Sequence, residues 1–184
     1  MPPTTSRHHT EWLSLIEVSG PFLSLPVLLR VFPQGLDAHD PDLFRDLRAA
    51  YEDWEDNQTG RRADPSVHRR WVRFVLEQVL ELPDEVLAEG QAIPQTLKAT
   101  VAEHGETLRP DIVVVNPPGS TDPGKPRLLV QVYPLGQGLD SPVAERHWKA
   151  SPSTRMMELL HATDTRLGLI TNGEQWMLVD APRG

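Results

Sequence analysis

The sequence predicts an α/β domain in which a mixed β-sheet is flanked by helices and follows a helical amino-terminal part. Apolar residues recur at helical spacing in the first half, whereas an unbroken β-branched run, Ile112 to Val115, comes only after residue 100. A chain of 184 residues has the length of one domain. We therefore predict a single domain, 1–184, with a mainly helical part (1–100) and a sheet core with one helix and a terminal hairpin (101–184).

Three helices are predicted before the sheet. Thr10 precedes an apolar stretch as a helix-capping residue would. Asp40 and Asp64 each stand before a proline, a combination that favours the start of a helix, and the apolar residues after each recur on one helical face. The predicted helices are 10–18, 41–56 and 65–82.

The second half of the sequence predicts strands before and after a single helix. Residues 112–115 have the pattern of a strand covered on both faces, and residues 128–133 form the next strand. Ser151 is predicted to cap a helix that begins at Pro152. Asn172-Gly173 lies between two apolar segments and predicts a hairpin with a type I′ turn, which needs positive φ at both residues.

Two motifs in the connection between these strands match functional patterns in their spacing, but each lacks a residue that the function requires. Residues 119–125 match the GxxxxGK spacing of a phosphate-binding loop, but Pro126 offers neither the hydroxyl nor the N–H that the next position requires. Asn116-Pro117-Pro118-Gly119 resembles the NPPY tetrapeptide of amino-methyltransferases, but glycine replaces the aromatic residue that stacks on the base. We expect a turn between two strands.

Composition restricts the classes of function. The chain has no cysteine, so it has neither disulfides nor thiolate metal ligands, and its seven histidines show no zinc-ligand spacing. No signal peptide or long apolar span is present, which predicts a cytoplasmic protein without a membrane partner. The formal charge of -8 argues against DNA binding over the whole surface, so any contact with DNA is expected to be local.

Polar residues mark the ends of the two central strands. Asp111 follows Arg109-Pro110 and opens the first strand, and Gln131 and Tyr133 fall near the end of the second. Strand alternation places Gln131 and Tyr133 on one face. By themselves these residues also fit a purely structural interpretation, in which Asp111 ends a turn after Pro110 while Gln131 and Tyr133 form hydrogen bonds within a sheet.

Together with the tract from Arg166 to Val179, this arrangement resembles the amino-terminal PD-(D/E)XK nuclease-like domain of bacterial restriction-modification enzymes. The similarity is to type IIG-like and DISARM-like phage-defence DNA methyltransferases, and more distantly to type I restriction subunits, over about residues 60–184. It implies a restriction-endonuclease-like fold, with DNA and a methyltransferase or other defence module as partners. Such a domain is normally followed by a methyltransferase, so we expect the chain to be a fragment or the product of a split gene.

The resemblance also implies a metal site. Nucleases of this kind place an Asp at the start of one strand, and a second carboxylate and a lysine two residues apart on its neighbour, to hold Mg²⁺ and activate water. Asp111 matches as a metal ligand, whereas Gln131 and Tyr133 stand as vestiges at the other two positions. We therefore expect a catalytically degenerate module that needs no cofactor and docks DNA or a partner.

Two other functions remain open. The first is an active Mg²⁺-dependent endonuclease whose second acid has migrated, with Glu77 as the candidate. The second is a protein-interaction module without DNA contact, which uses exposed aromatic residues such as Trp148. For contact with DNA phosphates, the candidates are Arg146, Lys149 and Arg155.

Overall fold

The computed structural model describes residues 4–17, 24–35 and 38–182, and the chain divides into two compact units, Met1–Asp42 and Leu43–Gly184. The first unit contains α1 (Thr4–Leu13) and α2 (Leu25–Val31). The predicted helix 10–18 is therefore displaced, because Thr10 lies inside α1 and its hydroxyl donates to the Ser6 carbonyl at 2.8 Å. Val18 lies outside the described residues.

From residue 41 onwards the structure alternates helices with short strands. The helices are α3 (Pro41–Thr59), α4 (Pro65–Phe74), which continues into a π-helical turn (Val75–Val79), and α5 (Pro152–Thr163). The strands are β1 (Leu87–Glu89), β2 (Ala99–Val101), β3 (Glu106–Leu108), β4 (Ile112–Val115), β5 (Pro126–Val132), β6 (Leu167–Thr171) and β7 (Trp176–Asp180). Nowhere in the three described ranges is there a helix long and apolar enough to cross a membrane.

Five strands form one mixed sheet in the order β1-β4-β5-β6-β7, and β2 and β3 form a separate hairpin. Strands β1, β4 and β5 pair antiparallel. The chain then crosses over through α5, so that β6 pairs parallel to β5, and β7 returns antiparallel to β6. The predicted α/β class with a mixed sheet and a helical amino-terminal part is confirmed.

Helices cover both faces of the sheet. On one face α5 packs against alternate residues of the central strands; on the other face, α4 and the π-helical turn pack against the residues between them. The first core includes Val113, Leu129, Met156, Leu159, Leu160 and Ile170, and the second includes Val72, Leu76, Val114, Val130 and Leu169. Each such side chain contributes about 1.5–3 kcal/mol to folding, so the buried strands fix the position of the residues at their ends.

Two predicted helix starts have the expected caps. The Asp64 carboxylate accepts from the Ser66 amide at 2.8 Å, and the Ser151 hydroxyl accepts from the Thr154 amide at 3.3 Å. By contrast, β1 and β2 fall within the part predicted to be helical. Strands of three residues are too short to show an alternating pattern in the sequence.

The prediction of a type I′ turn is wrong. Strands β6 and β7 pair from Thr171 with Trp176, so four residues connect them, and only Gly173 has a positive φ there, of 91°. The Asn172 side-chain oxygen accepts from the amides of Glu174 and Gln175 at 3.1 and 2.7 Å. These side-chain bonds add to a backbone hydrogen bond from the Asn172 amide to the Gln175 carbonyl at 3.3 Å, in a turn that differs from the type I′ turn.

Candidate functional site

The start of β4 is joined to the end of β5 through Asp111. Its amide donates to the Val130 carbonyl at 2.9 Å, and its Oδ2 accepts from the Val132 amide at 2.8 Å. Because β4 and β5 are antiparallel, the beginning of one strand lies beside the end of the other. Adjacent pairing in one sheet thus brings Asp111 next to Gln131 and Tyr133.

The side chains of Gln131 and Tyr133 are connected to each other. The Gln131 amide nitrogen donates to the Arg109 carbonyl at 3.2 Å, and the Tyr133 hydroxyl donates to Gln131 Oε1 at 3.3 Å. Gln131 is 6% exposed. Both polar ends of its amide therefore have protein partners, which is how a buried amide is accommodated.

The three motif positions line one cavity of about 550 Å³, here called the recess. Its walls also include the end of β3 and the segment that connects β5 to α5. Six charged residues line it: Glu106, Arg109, Asp111, Glu145, Arg146 and Arg155. Three are acidic and three are basic, so the lining has no net charge.

Arg155 is buried, with 4% of its surface exposed. Its guanidinium forms a two-pronged ion pair with Glu106, donates to the Trp148 carbonyl at 3.0 Å and lies over the Trp148 ring. Its charge also opposes the rise that burial causes in the pKa of Tyr133. Arg155 was predicted to contact phosphate, but it is buried and both of its terminal nitrogens donate inside the protein.

Glu106 is a residue of the recess that the sequence did not single out. Its hydrogen bonds from Arg155 keep the pKa of its carboxyl below the usual value despite desolvation. Glu106 lies in a three-residue strand, with no motif around it, and only the packing of β3 beside α5 brings it to the site. Its carboxylate is engaged by Arg155 and balances that charge.

Arg146 and Lys149 are both exposed, but only Arg146 lines the recess. No hydrogen bond or ion pair of the Arg146 side chain is found within the described part of the chain. Its charge nonetheless acts to lower the pKa values of Glu106, Asp111 and Tyr133, which line the same recess. Arg146 is therefore a charged group available to a ligand.

The recess also changes the titration of Asp111 and Tyr133. Desolvation by the surrounding protein raises the pKa of Asp111, although the residue is partly open to solvent. The hydrogen bond from the Val132 amide and the charge of Arg146 oppose this rise only in part. Burial likewise raises the pKa of Tyr133, against the effect of Arg155. The Tyr133 hydroxyl is therefore neutral at physiological pH and cannot supply the positive charge of a lysine.

Glu77, the candidate for a migrated acid, lies elsewhere. It is on the π-helical turn and forms an ion pair with Arg73, whose guanidinium also contacts Asp84 and Glu89. Glu77 does not line the recess. The pairing of an i, i+4 Arg and Glu on one helical face explains this position, and Glu77 is not a second metal ligand beside Asp111.

Trp148 was predicted to be an exposed contact residue, and it is half-buried instead. The Arg155 guanidinium lies 5.5 Å from its ring centroid, and the His104 ring stacks on it at 5.8 Å. This packing holds the segment between β5 and α5 against the β2–β3 hairpin. Trp148 thus supports Arg155, which lines the recess, without lining it itself.

A cluster of aromatic residues, which we call the aromatic clamp, supports the backbone of Tyr133. Trp54 donates to His68 Nδ1 at 2.9 Å, and the other ring nitrogen of His68 lies 3.1 Å from the Tyr133 carbonyl. Trp71 donates to the Gly173 carbonyl at 2.7 Å. The clamp therefore joins α3 and α4 to the end of β5 and to the β6–β7 turn.

The residues present do not fit a divalent metal ion. Asp111 is the one carboxylate at the three motif positions, and the Gln131 oxygen already accepts from Tyr133. Within residues 4–17, 24–35 and 38–182 there is no group of three His, Asp or Glu side chains placed to hold a metal. Mg²⁺ requires a nearly octahedral set of oxygen ligands, which one carboxylate does not supply.

Comparison with known proteins adds no relative: no family model matches the sequence, and neither the curated proteins nor the solved structures give a significant match.

Proposed function

We propose that this chain is a catalytically degenerate nuclease-like module that docks DNA or a partner protein within a restriction-modification or phage-defence DNA methyltransferase system. One observation carries the proposal: residues 111, 131 and 133 line a single recess at the end of two adjacent strands. This is the placement that the PD-(D/E)XK pattern requires, and it occurs with one carboxylate where the pattern has two and with tyrosine in place of lysine.

The charges in the recess argue against cleavage. Glu106 is engaged by Arg155, and Glu77 is engaged by Arg73 outside the recess. A second carboxylate beside Asp111 would have to come from Glu145, which is exposed on the segment between β5 and α5. With Asp111 alone, neither metal binding nor the activation of water has a basis in the side chains.

The segment between β5 and α5 supports a binding role. Its 19 residues, 133–151, form no helix or strand, and a connection of this length inside a compact unit is typical of a binding loop. It is anchored rather than loose, because Leu139 is buried in the core and the Asn172 amide donates to the Gln137 carbonyl at 3.0 Å. Arg146 and Lys149 are presented from this anchored loop.

Incubation of the chain with plasmid DNA and Mg²⁺ or Mn²⁺ tests the first half of the proposal, and we expect no cutting. The double substitution Gln131→Glu with Tyr133→Lys restores the pattern, and we expect it to bind Mn²⁺, as measured by titration calorimetry. Gln78→Glu, which adds a carboxylate at an exposed position outside the recess, is the matched control and should not bind it. Cutting by the unmodified chain that Asp111→Ala abolishes would instead establish an active endonuclease.

The docking half is tested by electrophoretic mobility shift at two salt concentrations. We expect a shift that weakens with salt, because local phosphate contacts release counterions. A salt-independent association with a partner module, without any DNA shift, would assign the chain to protein interaction alone.

A further inference from the structure

We infer that the recess is a binding site for a guanine base, which Asp111 and Arg146 recognise on two different edges. The inference rests on the proposed function, since it treats the recess as a binding site and not as a cutting site. It goes further in naming the ligand, and three features of the recess lead to it: its charge balance, its open polar groups and its apolar walls.

The charge balance excludes a polyanion from the interior. With three acidic and three basic side chains in the lining, a phosphodiester inside the recess would meet the carboxylates of Asp111 and Glu145 as well as the guanidinium of Arg146. A purely cationic ligand would be repelled by Arg146 in the same way. A neutral ligand with hydrogen-bond donors at one end and acceptors at the other can bind a carboxylate and the Arg146 guanidinium without repulsion.

Asp111 and Arg146 are open to such a ligand, and so is Glu145, which is exposed beside Arg146 on the segment between β5 and α5. Asp111 Oδ2 accepts a hydrogen bond from the Val132 amide, and Asp111 Oδ1 has no protein partner within the described ranges. The Arg146 side chain likewise forms no hydrogen bond or ion pair there, although it lies near enough to Asp111 to lower its pKa. By contrast, Arg109 donates to Gln95 and to the Pro94 carbonyl, and Arg155 forms an ion pair with Glu106.

Guanine matches the pair formed by Asp111 and Arg146. Its N1–H and N2–H are two adjacent donors suited to a carboxylate, and its O6 and N7 are two adjacent acceptors suited to a guanidinium. Adenine places one donor beside an acceptor on each edge, and inosine lacks the N2 amino group. Apolar side chains of Leu108, Pro134 and Val143, with the Tyr133 ring, line the recess and can meet the faces of a base.

Titration calorimetry of the full chain with guanosine, inosine and adenosine tests this inference. We expect guanosine to bind, and inosine to bind about tenfold or more weakly, because it leaves one charge-assisted hydrogen bond unmade. Asp111→Asn and Arg146→Gln should each weaken guanosine binding by a similar factor. The matched controls Asp122→Asn and Arg127→Gln change exposed residues that do not line the recess and should leave binding unchanged.

Three results would overturn the inference: no guanosine binding, equal binding of guanosine and adenosine, or guanosine binding that Asp111→Asn leaves intact. Thermal unfolding of each variant ensures that a loss of binding is not a loss of fold. Failure here is distinct from failure of DNA docking, because Lys149→Gln should weaken docking without affecting guanosine.

The source of the base is decided with DNA duplexes that carry an unpaired guanine or an unpaired adenine opposite an abasic site. A preference for the unpaired guanine assigns the site to a base displaced from DNA. Binding of guanosine without that preference assigns it to a free nucleoside. Both results uphold the guanine site.

Discussion

The backbone amide of Val132 donates a 2.8 Å hydrogen bond to Oδ2 of Asp111, so the side chain that opens β4 is tied to the strand that carries Gln131 and Tyr133. The same carboxylate lies among protein atoms that raise its pKa. The hydrogen bond lowers the pKa of Asp111 and desolvation raises it, and substitution can separate these two effects.

Asp111→Asn keeps an oxygen for the Val132 amide and removes the charge. A raised pKa in the folded state means that the carboxyl favours folding most below its ordinary pKa of 3.8 and that this contribution is lost as pH rises through the folded-state value. The variant should therefore gain stability relative to the unmodified chain at about pH 7 and lose that advantage at about pH 3. Urea denaturation at both pH values measures this, and an equal difference at both would contradict it.

His68 predicts a pH dependence of the opposite sign. Burial lowers the pKa of His68 below its ordinary value of 6.5, although its bond to the Tyr133 carbonyl favours the proton. Its contribution to stability is present above pH 6.5 and is lost as pH falls towards the folded-state value, because the proton would occupy the nitrogen that accepts from Trp54. We expect the unfolding midpoint of the unmodified chain to fall between about pH 8 and pH 5 more than that of His68→Gln does. Parallel curves for the two proteins would rule this out.

The ion pair between Arg155 and Glu106 should matter to stability because both side chains are largely buried. Arg155→Ala leaves the Glu106 charge without its partner and should cost about 3–5 kcal/mol in the free energy of unfolding. Combining Arg155→Met with Glu106→Leu removes both charges and should recover most of the loss. Arg166→Ala is the control, since Arg166 is 66% exposed in its pair with Asp180, and it should cost at most about 1 kcal/mol.

Gly173 should resist substitution for two separable reasons. Its φ of 91° is unfavourable for other residues, and an added Cβ would lie 2.6 Å from the Trp54 ring and 2.8 Å from the His68 ring. Gly119 has a similar φ of 88° but open space around it. We expect Gly119→Ala to cost about 1 kcal/mol through backbone strain and Gly173→Ala at least about 2 kcal/mol more, because the aromatic clamp must move. Similar losses in chemical denaturation would show that the clamp does not restrict this turn.

Lys149 provides a test of DNA docking outside the recess. If it contacts phosphate, Lys149→Gln should weaken binding to all DNA sequences alike and reduce the slope of log K against log salt by about 1. Arg127→Gln removes an equal charge on β5, at the end away from Gln131, and should leave the slope unchanged. Identical slopes for Lys149→Gln and the unmodified chain would remove Lys149 from the interface.

The elements with long patterns were predictable. The buried run at 112–115, the capped helix after Ser151 and the two proline starts at 41 and 65 all occur where the sequence places them, because burial on one or both faces demands a regular apolar pattern. The turn at Asn172 was mispredicted because the Asn172 side chain binds the amides of Glu174 and Gln175 and only Gly173 has a positive φ. The three-residue strands β1, β2 and β3 gave no pattern to recognise.

The sequence by itself determined the α/β class and the residue types at positions 111, 131 and 133, since local periodicity and capping are properties of neighbouring residues. Only the tertiary structure decided which charges share the recess. It pairs Arg155 with Glu106, 49 residues away in the chain, and it pairs Glu77 with Arg73 outside the recess. Asp111 and Arg146 line the recess without an ion-pair partner among the described residues. Contacts between residues so distant in the chain depend on how β3, β5 and α5 pack, and no local pattern encodes that packing.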